Sequence, residues 1–117
     1  NHMAQLRHDY AAFQALSCEV LVIVPNGPKS IARYVGQSHT PYPILSDKGA
    51  RVAAQYGIDT KHLLSLSAFA PTVLLVDRAG VIRYSSYQTS YIQEPDNRQP
   101  LGVLAQMAAQ AAAAVNP

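Results

Sequence analysis

Residues 19–25 read EVLVIVP, an almost unbroken apolar run closed by Pro25, Asn26, Gly27 and Pro28. Such a run suits a strand buried on both faces of a parallel sheet. A parallel strand reaches its neighbour only through a crossover, so helices are expected on either side. Upstream, Met3, Leu6, Tyr10, Phe13 and Leu16 recur every three or four residues and predict one apolar face of a helix already under way at residue 1. Downstream, Pro28 opens a short helix with Ile31 and Val35 four apart, ended by Gly36 and the polar residues 37–40.

The rest of the chain continues the alternation. Pro43, Ile44, Leu45, Ser46 and Asp47 predict a short strand leading into a cap. Ser46 or Asp47 caps a helix on which Val52, Ala53 and Tyr56 share a face, and Gly57 falls where a left-handed C-terminal cap belongs. Residues 58–70 read as a loop with room for one helical turn around Leu63 to Leu66. Thr72 to Val76 is a second buried strand, and Asp77, Arg78, Ala79 and Gly80 form a tight hairpin turn. Residues 81–84 return as an antiparallel strand, and the polar residues 85–91 suit an edge or a loop. Asp96 or Asn97 caps a final helix with Pro100 in its first turn. Leu101, Leu104, Met107 or Ala108, and Ala111 make its apolar face. Strands separated by helices, with a terminal hairpin, predict an α/β fold of three layers with helices on both faces of a mixed sheet.

Composition narrows the function classes. With 117 residues, 49% hydrophobic and 14% charged, the chain suits one packed domain over residues 1–117. The net charge is only +2 and no basic cluster occurs, which argues against a nucleic-acid partner. No apolar run has the length to span a bilayer as a helix. One cysteine, Cys18, excludes a disulfide within the chain and suits a reducing, cytoplasmic setting. His2, His8, His39 and His62 lack metal-ligand spacing, so no metal or other cofactor is expected.

Four segments carry a family resemblance: HMAQLRHDYAAF, EVLVIVPNGPKSIARYV, YPILSDKGARVAAQYGI and APTVLLVDRAGVIRY. In this order they resemble the peroxiredoxin-like proteins of the alkyl hydroperoxide reductase and thiol-specific antioxidant family, within the thioredoxin-like superfamily. The resemblance spans residues 2–84. It implies a thioredoxin-like sandwich and an antioxidant oxidoreductase. It also implies a reactive cysteine at the N-terminus of the first helix, one or two residues before Asn1. There the helix dipole favours a thiolate, which attacks a peroxide oxygen. On this reading the chain lacks its reactive segment and the central strand preceding it. An upstream segment, a strand from another chain, or direct pairing of 19–25 with 72–76 would then complete the sheet. A homodimer or strand-swapped dimer is one such assembly.

The candidate residues follow. Cys18 lies at the C-terminal side of a helix, where the dipole disfavours a thiolate, so it reads as a small apolar residue. The resemblance implies a cis Ala70–Pro71 bond facing the reactive thiol, with Pro71 and Thr72 offered to substrate. Residues 68–72 carry none of the arginine that many peroxiredoxins place there, and Arg78 and Arg83 read as solvated. Tyr84, Tyr87 and Tyr91 read as ordinary half-exposed tyrosines or an interaction strip. Two classes of function stay open. One is an enzyme, a thiol peroxidase or a thiol–disulfide oxidoreductase, using peroxide and a reductant such as thioredoxin. The other is a non-catalytic thioredoxin-fold binding module.

Overall fold

The computed structural model describes residues 2–63, 66–87 and 96–115. The elements run α1 (His2–Ala15), β1 (Val22–Val24), α2 (Pro28–Ser38), β2 (Ile44–Ser46), α3 (Arg51–Gln55), β3 (Thr60–Leu63), β4 (Leu66–Phe69), β5 (Thr72–Val76), β6 (Ile82–Tyr87) and α4 (Arg98–Val115). Two compact units divide them.

The first unit comprises residues 1–19, 73–86 and 94–117. On α1 the apolar spacing holds: Phe13 is buried, Met3, Leu6, Tyr10 and Leu16 are half-buried, and the residues between Tyr10 and Phe13 face solvent. The helix stops in a left-handed residue, Ser17, at φ 58°. Ser17 N–H donates to the Gln14 carbonyl at 2.9 Å and Cys18 N–H to the Phe13 carbonyl at 3.0 Å. This paired pattern satisfies two of the carbonyls that a helix end leaves orphaned. In α4, Asp96 accepts the Arg98 N–H at 3.0 Å, and the Asn97 carbonyl accepts Leu101 N–H at 3.1 Å, so both expected capping residues take part. Leu104 is buried and Leu101 and Met107 half-buried, whereas Ala108 and Ala111 are exposed. β5 and β6 pair around the expected turn, in which Asp77 accepts N–H groups from Ala79 and Val81 at 2.9 Å each. Gly80 takes φ 83°, a conformation that a Cβ would strain. β6 runs past the expected return at 84 to Tyr87. Tyr91 lies outside the described residues.

The second unit comprises residues 20–72 and 87–93. β1 and β2 pair in parallel through the α2 crossover, with Val22 opposite Ile44, Ile23 opposite Leu45 and Val24 opposite Ser46. Ile31, Tyr34, Val35 and Ser38 form the inner stripe of α2, which runs two residues past Gly36 because His39 closes it at φ 53°. Asp47, not Ser46, caps α3: its carboxylate accepts Val52 N–H at 3.1 Å and Ala53 N–H at 2.9 Å. Gly57 takes the expected left-handed cap at φ 72°, and Ile58 N–H donates to the Ala53 carbonyl at 3.0 Å. Of the face expected on α3, Ala53 alone is buried, while Val52 and Tyr56 are exposed.

Two expectations are corrected. Residues 58–70 are not a loop: β3 and β4 form an antiparallel hairpin with Thr60 opposite Phe69 and Leu63 opposite Leu66. Leu63 and Leu66 are therefore extended where a helical turn was expected, and residues 64 and 65 lie outside the described ones. The apolar strands are shorter and wetter than their sequence implies. β1 covers three residues, with Ile23 exposed, and in β5 Leu75 alone is buried. Full burial needs layers on both faces, and the middle residue of β1 lies on an open face here. Among the described residues the ladders join β1 with β2, β3 with β4 and β5 with β6. Direct pairing of 22–24 with 72–76 is not among these pairings.

Candidate functional site

Cys18 stands just past the end of α1, in the second residue of the closing motif. Its backbone N–H is spent on Phe13 and its Sγ–H points to the Glu19 carbonyl at 3.5 Å. The side chain is half-buried. Burial raises the thiol pKa above its ordinary value, and the Glu19 carboxylate adds to the rise. The negative end of the α1 dipole lies on the same side. Every local influence thus keeps the sulfur protonated, which suits a structural thiol and not a nucleophile.

Pro71 and Thr72 open β5. No cis peptide bond is present among the described residues, so the Ala70–Pro71 bond is trans and the cis expectation is corrected. The trans form is the default: even for prolines, cis accounts for about 5–6% of bonds in folded proteins. Local bonds hold the extended course. Ala70 is 1% exposed and its N–H donates to the Asp59 carbonyl at 2.8 Å. Thr72 Oγ1–H turns back to the Ala70 carbonyl at 3.1 Å. A proline starting a strand is ordinary, since the lost N–H falls at the strand's end. Arg83 is half-exposed and solvated as expected, yet it is also paired: its Nε–H donates to Asp77 at 2.8 Å. The Val81 N–H, then Arg83, holds the Asp77 carboxyl below the ordinary aspartate range.

A third feature was not legible in the sequence. Asn97 is 5% exposed, and its carboxamide bonds in two directions. Nδ2–H donates to Asp9 Oδ2 at 3.1 Å, and Oδ1 pairs with His2 Nε2 at 3.1 Å. The other Asp9 oxygen meets His8 Nδ1 at 3.0 Å. These bonds, with the Asn97 bond first, lower the Asp9 pKa. Metal-ligand spacing among the histidines does not reveal that Asn97 joins His2 and Asp9. They stand seven apart, two turns along one face of α1. Among the described residues no group of three or more His, Cys, Asp or Glu is placed to hold a metal ion. No described helix is long and apolar enough to cross a membrane.

The AhpC/TSA family model matches residues 1–85. The chain belongs to the AhpC/TSA family. No curated protein sequence gives a significant match to it. Among solved structures, this AhpC/TSA chain is similar to peroxidoxin BcpB from Mycobacterium tuberculosis. The TM-score is 0.76 at 20% identity, over 90% of this chain and 68% of that one. Peroxiredoxin 6 of Arenicola marina matches with a TM-score of 0.81 at 12% identity, over 94% of this chain and 55% of that one. Mycobacterium tuberculosis AhpC matches with a TM-score of 0.74 at 16% identity, over 93% and 61%. The chain thus spans little more than half to two thirds of the length of these structures. The likeness bears out the thioredoxin-like α/β fold expected from the sequence.

Proposed function

We propose that residues 1–117 belong to a peroxiredoxin-type thiol peroxidase acting on hydrogen peroxide or alkyl hydroperoxides, with its reactive cysteine encoded just before Asn1. The observation that carries this reading is the family match over residues 1–85. A thiolate there attacks one peroxide oxygen. The O–O bond breaks, the alkoxide or hydroxide leaves and takes a proton, and the sulfur becomes a sulfenic acid. A second thiol displaces water to form a disulfide, which a dithiol reductant such as thioredoxin returns to the reduced state. With the Ala70–Pro71 bond trans, Pro71 and Thr72 are left out of the proposed site. A reducing compartment such as the cytoplasm, one thioredoxin-like domain and a homodimer complete the proposal. The raised pKa of Cys18 supports its exclusion from the chemistry.

The test is stopped-flow consumption of hydrogen peroxide. A chain carrying the preceding residues with their cysteine should react quickly, and changing that cysteine to serine should abolish the reaction. Residues 1–117 alone should be inactive. Fast peroxide consumption by residues 1–117 that disappears in Cys18→Ser would make Cys18 the nucleophile and overturn the reading.

A further inference from the structure

We infer that Asn97 is a positioning residue, whose carboxamide grips α1 at His2 and Asp9 and sets the direction of the helix's first turn. The proposed peroxidase would carry its thiol next to that turn, so the functional consequence rests on the reading above. The grip itself rests on geometry. Asn97 is buried, with its amide oxygen 3.1 Å from His2 Nε2 and its amide nitrogen 3.1 Å from Asp9 Oδ2. An ionised carboxylate only accepts, so the amide nitrogen must face Asp9. The amide oxygen then faces His2, which must present its Nε2–H. All three side chains are thereby fixed in direction.

The usual work of an asparagine before a helix is to cap it. Here Asp96 does that for α4, accepting Arg98 N–H at 3.0 Å. The Asn97 side chain is free of the task and reaches α1 instead. His2 and Asp9 are separated by a rise of about 10 Å along the helix. Two attachments at that separation resist rotation and tilt of α1 about the start of α4, as one attachment would not. Reacting groups tolerate little displacement: about 1 Å can cost on the order of a hundredfold in rate.

A swap tests the grip. Asn97→Asp alone places a second carboxylate against Asp9 and breaks the bond. Asn97→Asp together with Asp9→Asn restores that bond with donor and acceptor exchanged, and an oxygen at position 97 still accepts from His2. Residual dipolar couplings report the direction of α1 relative to α4 by NMR. They should change in the single variant and return in the double one. The Asp9 carboxyl titration, which Asn97, His8 and Asp96 all influence, should shift upward in the single variant. In a chain carrying the upstream cysteine, the rate of peroxide reduction should fall tenfold or more in the single variant and recover in the swap. Unchanged couplings and titration in Asn97→Asp would overturn the inference, as would a swap that does not restore the couplings. If the single variant does not fold, Asn97→Leu, which removes both bonds without adding charge, is read the same way. Restored couplings without a change in rate would confine Asn97 to structure and overturn the positioning role. An inactive wild-type chain with a responsive α1 would overturn the peroxidase reading and leave the grip standing.

Discussion

Among the described residues three non-glycines take positive φ, and they do not respond alike to substitution. Ser17 is exposed at φ 58° with its backbone closing α1, so its side chain gains nothing to offset the left-handed strain. Ser17→Gly is expected to stabilise the fold by about 0.5–1 kcal/mol, the strain relieved exceeding the extra freedom of the unfolded glycine. Thermal melting should move up by about 2–5 °C. Ala50 has a similar φ of 60° but is 2% exposed, and Ala50→Gly should show no such gain because a buried methyl is lost. Cys18 makes the second residue-scale case. Its raised pKa stabilises the thiol form, so this contribution is complete below the unfolded value of about 8.5 and is lost as pH rises through the folded one. Alkylation of Cys18 in the folded protein should be slower at pH 7.5 than in the denatured chain, and its rate should keep rising with pH beyond about 8.5, where that of the denatured chain levels off. Equal rates in both states at pH 7.5 would contradict the structural assignment.

At the scale of elements, Asp47 is the side chain that holds the start of α3. It is 7% exposed, and its carboxylate satisfies two N–H groups of α3, a helix of five residues. So short a helix cannot hold itself by propagation. Asp47→Ala is expected to destabilise by about 2 kcal/mol or more, combining a lost cap with buried donors left unpaired. Asp47→Asn should cost less, because the amide oxygen still accepts one bond. Urea unfolding with an unchanged slope measures both. This cap was legible because a carboxylate ahead of an apolar, helix-forming stretch has few other uses. The same holds for Pro28, Gly57, the turn at Asp77 to Gly80 and the cap at Asp96, where backbone chemistry restricts the choice of residue. The hairpin of β3 and β4 was hidden for the opposite reason. Thr60 to Phe69 carries no proline and no glycine to mark a turn, and its leucines suit a helix as well as a strand. The Asn97 grip was hidden because its partners lie 88 and 95 residues away. No local pattern reports such a pairing.

At the scale of the whole chain, the apolar strands present the main physical problem. Ile23 and Leu45 are opposed across the β1–β2 ladder and each is 46% exposed. Leu21 lies two residues before Ile23 and is 59% exposed, so alternation places all three on one face. A two-stranded ladder is marginal by itself, and an open apolar face adds a driving force for association. Little opposes it electrostatically, since the net charge is +2. Residues 1–117 produced alone are therefore expected to bind a hydrophobic dye and to self-associate as concentration rises. Sulfate should strengthen the association, as it does apolar burial, whereas charge pairing would weaken with salt. Ile23→Lys puts a charge in the middle of the face and should reduce both dye binding and association. Its effect on stability should be small, because the side chain is already nearly half in water. Sedimentation velocity between about 10 and 200 µM, a range in which weak association becomes visible, separates the outcomes. A monomer across that range, in sulfate as well as in buffer, would show that the apolar face does not drive association. Association that persists unchanged in Ile23→Lys would move its origin to another surface, of which the exposed Val76, Val81 and Ile82 of the first unit are the next to test.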